Sequence, residues 1–488
     1  MKKYFSLVLA VLLSSSLFGV ENSKPNVVFF LIDDLGVNDV GAYNPNTFYE
    51  TPNVDALAKA GVRFTSGYTA CCVCSPTRYS IQTGKYPARG AHTIWFGSNS
   101  NQTNKNRKFL DAEYVDRMVL DETTIGEAFH DAGYKTIFVG KWHLGPSVEF
   151  FPENQGYDIN IAGGAHGNPG KNGYFSPYNN LHHLPNGPDG EYLTHRLAKE
   201  ATEQIKKAKD KPFFLYFATY QVHTPLLAPE PLIEKYRNKA EKLGLPIDGQ
   251  NLFQNDPSAP NPRVRKIQSN PIYAAMVEEM DTAIGKVIQT LKDEGVYENT
   301  IIAFVSDNGG QANGPTSNLP IRAGKGWVYE GGHRVPYIIK APKNKSGISD
   351  VPVMTTDFYP TLLELAGLPL KPQQHLDGVS LKPILFNPST NVTDKLHHRT
   401  LYWHYPHYTS FPGGALRKDH FKFIRQYENG NTELYDLKND PYEQHNIAAE
   451  KPELLKQLAE EHNRWLKSVN ARFLRPKEGQ TEKSWLPE

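Results

Sequence analysis

Residues 26–36 read NVVFFLIDDLG: six consecutive apolar residues from Val27 to Ile32, then Asp33 and Asp34 with no spacer. A continuous run of β-branched and aromatic side chains of this length fits a strand buried on both faces, where neither side needs a polar residue. Three later segments repeat the design. KTIFVGKWHLG over 135–145 predicts a strand over Thr136 to Val139, PFFLYFATYQVHTP over 212–225 one over Phe213 to Ala218, and TIIAFVSDNGG over 300–310 one over Ile301 to Val305. Each is preceded by a helical pattern, over Thr123 to Ala132, Tyr192 to Ala208, and Ile272 to Asp293 with Gly295 as its stop. The alternation predicts an α/β fold, a large and mostly parallel sheet with helices on both faces. In such sheets ligands sit beyond the carboxyl ends of the strands. All four runs end there in reactive side chains: Asp33 and Asp34, Lys141 and His143, His223, Asp307 and Asn308.

Working outward, residues 145–190 are rich in Gly, Pro, Asn and His and read as a long surface insertion along that same edge, and GQNLFQNDPSAPNPRVR (249–265) reads as a second loop. Beyond residue 390 the pattern changes. ENGN at 428–431 between two alternating segments reads as a hairpin turn, and Lys451 to Val469 as a terminal helix. The expected organisation is a signal peptide over 1–20, a catalytic α/β domain over 21–390, and a C-terminal antiparallel sheet with one helix over 391–488. The first residues carry Lys2 and Lys3, an apolar run and then small residues, the pattern of a removable export signal. No cysteine follows the run as a lipoprotein anchor needs, so the expected location is secreted or periplasmic.

The composition, 39% hydrophobic and 22% charged, is that of an ordinary globular protein. Its 53 basic residues, less Lys2 and Lys3, nearly balance 52 acidic ones, which argues against capture of nucleic acid or membrane by a basic surface. No later segment reads as a membrane span.

All three cysteines fall in CCVCSPTRYSIQTG at 71–84. Adjacent cysteines cannot easily reach disulfide geometry, and a structural zinc site lacks partners at matching spacing. Cys71 and Cys72 therefore read as small buried apolar residues. For Cys74, Ser75 as cap and Pro76 at the first position predict a short helix ending near Gly84, with Cys74 at its positive end and Arg78 one turn on. That end favours an oxyanion. Two readings compete for Cys74: a thiolate nucleophile with its pKa lowered by the helix, or a modified side chain.

Cys74-Ser75-Pro76-Thr77-Arg78 followed by Thr83-Gly84-Lys85 resembles the signature of type I sulfatases, members of the alkaline-phosphatase-like superfamily, and the chain resembles bacterial polysaccharide sulfatases among them. The similarity runs through TPNVDALAKAGVRFT, GKWHLG, VHTP, VSDNGG, GKGWVYEGG with RVP close behind, and ELYDLKNDPYEQHNIA, in one order over most of the chain. It implies a sulfuric ester hydrolase in which Cys74 is oxidised to formylglycine by a formylglycine-generating or anaerobic sulfatase-maturing enzyme. The implied substrate is a sulfated oligo- or polysaccharide.

Hydrolysis of a sulfate monoester needs anionic oxygens neutralised, sulfur attacked and the departing alcohol protonated. Asp33, Asp34, Asp307 and Asn308 offer hard oxygen ligands, which favour calcium or magnesium over zinc. The resemblance implies one Ca²⁺, with the modified Cys74 completing its shell. Lys141 and Lys325 are the cations for sulfate oxygens, and Arg78 holds the nucleophile and its neighbours. The resemblance gives His143 the return of the aldehyde by deprotonating its hydrate, and His223 the role of acid at the bridging oxygen. His166, Arg322, His333, His404, His407 and Arg417 are candidates for contact with sugar: His333 stands where the family often has an apolar residue, and His404, His407 and Arg417 fall in YWHYPHYTSFPGGALRKDHFK (402–422), which resembles a tail segment of polysaccharide sulfatases. The alternatives are a phosphate or phosphonate monoester hydrolase of the same superfamily, and a sulfoglycan-binding protein whose Cys74 is never matured.

Overall fold

The structure, a computed structural model, describes residues 24–98, 107–255, 263–387 and 394–487. The expected signal peptide and the expected boundary at residue 390 lie outside the described residues. The central sheet has eight strands: β1 (Asn26–Ile32), β2 (Val62–Phe64), β3 (Lys135–Gly140), β4 (Ile159–Ile161), β5 (Phe213–Ala218), β6 (Thr300–Ser306), β7 (Tyr337–Lys340) and β8 (Gly347–Ser349). Their spatial order is β8-β2-β7-β6-β1-β5-β3-β4. Only β7 runs against its neighbours, β2 and β6. The four expected strands are therefore the sheet's middle, three of them lengthened by a residue or two and Phe213–Ala218 with the expected bounds, and the short flanking strands are those that carry no long apolar run.

β1 is the axis. Val27 stands in register with Phe214 on one side and Ile301 on the other. All seven of its residues are buried. Val28, Phe30 and Ile32 enter one core with Leu193, Leu197, Ala201 and Ile205 and with Met276, Met280 and Ile284. Val27, Phe29 and Leu31 enter a second core with Ile125, Phe129, Ile81, Phe358 and Leu362. This alternation is why neither face of the run could be polar, and each such side chain contributes about 1.5–3 kcal/mol by leaving water.

The helices form where the sequence places them. The 23-residue helix Pro271–Asp293 starts on Asn270, whose side chain accepts the backbone N–H groups of Ile272 and Tyr273. The helix Leu193–Ala208 buries positions four apart against the sheet, and Ile125–Asp131 opens with a capping box between Thr124 and Glu127. The short helix Cys74–Thr83 ends at Gly84 with φ +67°, where an added Cβ would meet that of His375 at 2.4 Å. Its start differs from expectation. Val73 occupies the cap with no side-chain bond, the first turn includes Cys74, and the Ser75 hydroxyl instead accepts the N–H of Phe96 at 3.1 Å.

The C-terminal region is a four-stranded antiparallel sheet in sequential order, β9 (Leu401–Tyr405), β10 (Gly413–Lys418), β11 (Phe421–Gln426) and β12 (Thr432–Asp436), covered by the helix Pro452–Ser468. Trp465 of that helix stacks on Tyr402 at 4.7 Å. The sheet packs on the larger region through Trp403, whose indole N–H donates to the Thr69 carbonyl at 2.7 Å, within a core that also holds Cys71 and Cys72. All three cysteines are free and buried, so the first two are the packing residues they were expected to be. Among the described residues no helix is long and apolar enough to cross a membrane.

Candidate active site

The strand ladder extends past the last residues of β1, β5 and β6. Asp33 N–H donates to the Gln221 carbonyl and Asp307 N–H to that of Ile32, each at 2.9 Å, so the acids stay in register as the strands end. Asp34 then turns the chain with φ +63°, and its N–H donates to Oδ1 of Asp307 at 3.2 Å. Asp33, Asp34, Asp307 and Asn308 are all essentially inaccessible to water.

Cations surround these acids. Nζ of Lys141 lies 2.6 Å from Asp33 Oδ2, and Nζ of Lys325 lies 2.7 Å from Asp34 Oδ1. Arg78 reaches Asp307 Oδ2 with Nε at 2.9 Å and Nη2 at 2.8 Å, and donates through Nη1 to the Lys141 carbonyl at 2.6 Å. One guanidinium thus ties the Cys74 helix to β6 and to the segment after β3. Burial pushes the Asp34 carboxyl up, but Lys325, His223 and Lys141 together outweigh it and hold the group well below the usual range. For Asp33, burial and the neighbouring Asp307 outweigh Lys141, and its carboxyl is raised.

Cys74 stands over this cluster. Its Sγ lies 3.5 Å from Nδ1 of His143, whose Nε2 lies 3.1 Å from the Phe96 carbonyl oxygen. Burial raises the thiol pKa although Lys141 and Lys325 oppose it. A buried thiol held protonated is a poor thiolate nucleophile, so the environment disfavours the first of the two readings of Cys74. Burial, with Lys141 and Arg78, also keeps His143 neutral by lowering its pKa well below the ordinary value. His223 sits with Nε2 3.7 Å from Asp34 Oδ2 and Nδ1 2.7 Å from the Thr224 carbonyl. Burial and Lys325 bring its pKa down to about 4, although Asp34 opposes them.

Cys74, His143, His223 and Lys325 line one cleft of about 460 Å³, together with Trp95, Phe96, Asn168, Gln311, Asn313 and Thr409. Ala165 and Gly167 line it too, with half-buried His166 between them. The amides and Trp95 went unread in the sequence because single polar residues in glycine-rich loops carry no periodic signal, and the Phe96 carbonyl has no side-chain signal at all.

The other candidates for sugar contact lie elsewhere. Arg322 stacks on Tyr329 at 3.9 Å and donates to the Tyr435 hydroxyl and the Glu443 carbonyl. His333 is fully buried against Trp403. His404 is held between the Tyr427 hydroxyl and the Arg472 carbonyl, each at 2.8 Å. His407 is fully buried beside the Thr93 hydroxyl, and Arg417 reaches the hydroxyl of Tyr68. Four of them pack the C-terminal sheet against the larger region, His404 is held within the C-terminal region, and none of the five lines the cleft.

A family profile described as Sulfatase matches residues 25–368, and one described as N-sulphoglucosamine sulphohydrolase, C-terminal, matches residues 323–470. The chain belongs to the sulfatase family. A sulfatase of Formosa agariphila is 31% identical, over 93% of this chain and 90% of that one. Human N-acetylgalactosamine-6-sulfatase is 31% identical, over 74% of this chain and 66% of that one. Ps i-CgsB, solved alone and in complex with k-i-k-neocarrahexaose, superposes with a TM-score of 0.71 at 28% identity, over 91% and 93% of the two chains. The sulfatase is accordingly a sulfuric ester hydrolase of alkaline-phosphatase-like fold.

Whether a cation fits the acid cluster can be judged from its donors. Asp33 Oδ1 and Asn308 Oδ1 are buried with no hydrogen-bond partner. Two orphaned oxygens facing a cluster of carboxylates are what a hard cation would satisfy. Ligand atoms of Asp33, Asp34 and His223 also lie within 4.8 Å of one another, and His223 lines the cleft as well.

Proposed function

We propose that this sulfatase removes sulfate from a sulfated oligo- or polysaccharide with formylglycine at position 74 and one Ca²⁺. The supporting observation is the convergence of Cys74, His143, Lys325 and His223 on one cleft above four buried oxygen donors. Asp33, Asp34, Asp307, Asn308 and the modified residue 74 would hold the ion. When present, the ion polarises the bound sulfate and the aldehyde hydrate supplies the oxygen nucleophile for sulfur.

The chain's own side chains carry the rest. Lys325 neutralises sulfate oxygens at the cleft, Lys141 adds its positive charge from beneath, beside Asp33, and Arg78 fixes the nucleophile's helix against Asp307. Bare Nδ1 of His143 accepts a proton from the group at position 74. Nε2 of His223 faces the ester. Lys325 is the second cause of the low pKa at His223, and a sulfate anion offsets that cation, so the ring can be protonated and give its proton to the departing alcohol oxygen. His166 remains a candidate for sugar contact at the rim.

A carbohydrate substrate is supported by the relatives, which include an N-acetylgalactosamine-6-sulfatase and a protein solved with a neocarrahexaose. Trp95 beside Asn168, Gln311 and Asn313 suits a polar ring with one apolar face. Maturation by a formylglycine-generating or anaerobic maturing enzyme and export to the periplasm or beyond belong to the same reading, as does the division near residue 390.

The test is production alongside a maturing enzyme, the mass of the tryptic peptide Phe64–Arg78, and sulfate release from sulfated galactans, glycosaminoglycan fragments and an aryl sulfate. A formylglycine mass together with release that is lost in EGTA and restored by Ca²⁺ is expected. An unmodified thiol in fully active protein, or faster turnover of an aryl phosphonate ester assayed beside that panel, would overturn the reading.

A further inference from the structure

Away from the cleft floor, the insertion over 145–190 brings Glu153, His182 and His183 together, three residues that the proposed chemistry does not use. One ligand atom from each lies within 4.8 Å of the other two. The geometry points to a second metal site at these three residues, one for a zinc-class divalent ion, which braces the wall of the substrate cleft.

The donor set is two imidazoles and one carboxylate, a combination that suits zinc and neighbouring transition metals and does not suit calcium. Oε1 of Glu153 is 2.7 Å from Nε2 of His182 and 3.8 Å from Nε2 of His183. Tetrahedral zinc at ordinary bond lengths spaces its ligand atoms by about 3.3 Å. Small side-chain rotations therefore bring all three into its shell. The His183 side chain is 61% exposed, against 21% for His182 and 27% for Glu153, so a fourth position is open to water.

An outer shell supports the carboxylate. Oε2 of Glu153 is held by the side-chain amide of Asn160, which also donates to the Gly163 carbonyl at 2.8 Å and accepts the Gly163 N–H at 3.0 Å. That leaves Oε1 directed to the histidines, the arrangement by which a ligating carboxylate is oriented. Phe151 packs edge-on against the His182 ring at 5.0 Å.

The same residues clamp the cleft wall. The His182 carbonyl accepts the Ala162 N–H at 2.7 Å, Gly163 is fixed by Asn160, and the Gly164 carbonyl accepts the His143 N–H at 3.1 Å. The chain then runs directly into Ala165, Gly167 and Asn168, which line the cleft. An ion that joins Glu153 to 182–183 stiffens this segment from behind and acts mainly on substrate binding.

The experiment uses full-length, matured protein without a histidine tag, saturated with Ca²⁺, and titrates it with Zn²⁺ by calorimetry. Metal content is measured after gel filtration. Wild type is expected to retain about one equivalent more zinc than His183→Gly, a change that the φ of +52° at this exposed position accommodates, and His182→Ala is expected to lose the same equivalent. Filling this equivalent should lower KM for an oligosaccharide with little change in kcat. Equal zinc uptake by wild type and His183→Gly, including none by either, would overturn the site and leave the sulfatase reading untouched.

Discussion

Nδ1 of His143 faces Sγ of Cys74 at 3.5 Å while Nε2 of the same ring faces the Phe96 carbonyl oxygen at 3.1 Å. A carbonyl oxygen only accepts, so Nε2 carries the hydrogen and Nδ1 presents a lone pair to position 74. Because His143 sits at φ +56°, asparagine is, among substitutions that keep a polar side chain, the one its backbone tolerates best. His143→Asn is expected to lower kcat on an aryl sulfate by about 10²–10⁴-fold with KM little changed. The measurement is steady-state kinetics on protein whose formylglycine content has been matched by mass. A kcat within about twofold of wild type would remove the residue from proton transfer.

The two active-site lysines should fail in different ways. Lys141 is inaccessible to water against a buried Asp33, whereas the Lys325 side chain is 18% exposed at the cleft. Lys141→Met leaves Asp33 and Asp307 facing each other with one cation fewer and is expected to cost about 3–5 kcal/mol of stability. Lys325→Ala weakens the charge balance at Asp34, but its site opens on the cleft and admits water, so it is expected to lose less stability than Lys141→Met while kcat/KM falls by at least about 100-fold. Thermal melts beside kinetics of both variants check this, and equal melting temperatures would contradict the assigned difference.

The contrast explains what could be read from sequence. Asp33, Lys141, His223 and Asp307 were legible because each follows a strand buried on both faces, and strands of one parallel sheet deliver their ends to one edge. Arg322, His333, His404, His407 and Arg417 were expected at the sugar and lie outside the cleft, because a histidine or arginine near aromatic residues looks alike whether it faces a glycan or is packed inside the protein. Only the partner decides, as Trp403 does for His333 and Tyr427 for His404. The Val73 cap and the Phe96 carbonyl escaped because backbone groups leave no mark in residue identity.

Lys422 lies with no solvent exposure between Glu330 at 3.0 Å and Glu443 at 2.8 Å, joining the C-terminal sheet to the larger region. Glu330 also accepts the Tyr68 hydroxyl, which Arg417 contacts in turn. Removing the ammonium leaves two carboxylates buried together, so Lys422→Met is expected to cost about 3–5 kcal/mol in urea unfolding. Adding Glu443→Gln should recover part of that loss, because it removes one of the stranded charges. A double-mutant cycle with strictly additive effects would show that the cluster is not coupled.

His404 allows a pH prediction for a single group. Its Nε2 lies 2.8 Å from the Arg472 carbonyl, which can only accept, so Nδ1 takes the Tyr427 hydroxyl hydrogen and has no room for a proton. Burial lowers its pKa to about 4 against 6.5 when exposed. Between those values the unfolded chain binds the proton and the folded one does not, so stability contributed by the neutral ring is present above about pH 6.5 and lost as pH falls toward 4. From pH 7 to pH 5 the loss is about 2 kcal/mol. His404→Gln should be less stable than wild type at pH 7, with a gap that narrows by about that amount at pH 5, because titrating groups that do not interact with His404 cancel in the comparison. Urea midpoints of both proteins across this range decide the matter: converging curves support a neutral buried imidazole, and parallel ones would mean that His404 is already protonated or reaches water in the folded enzyme.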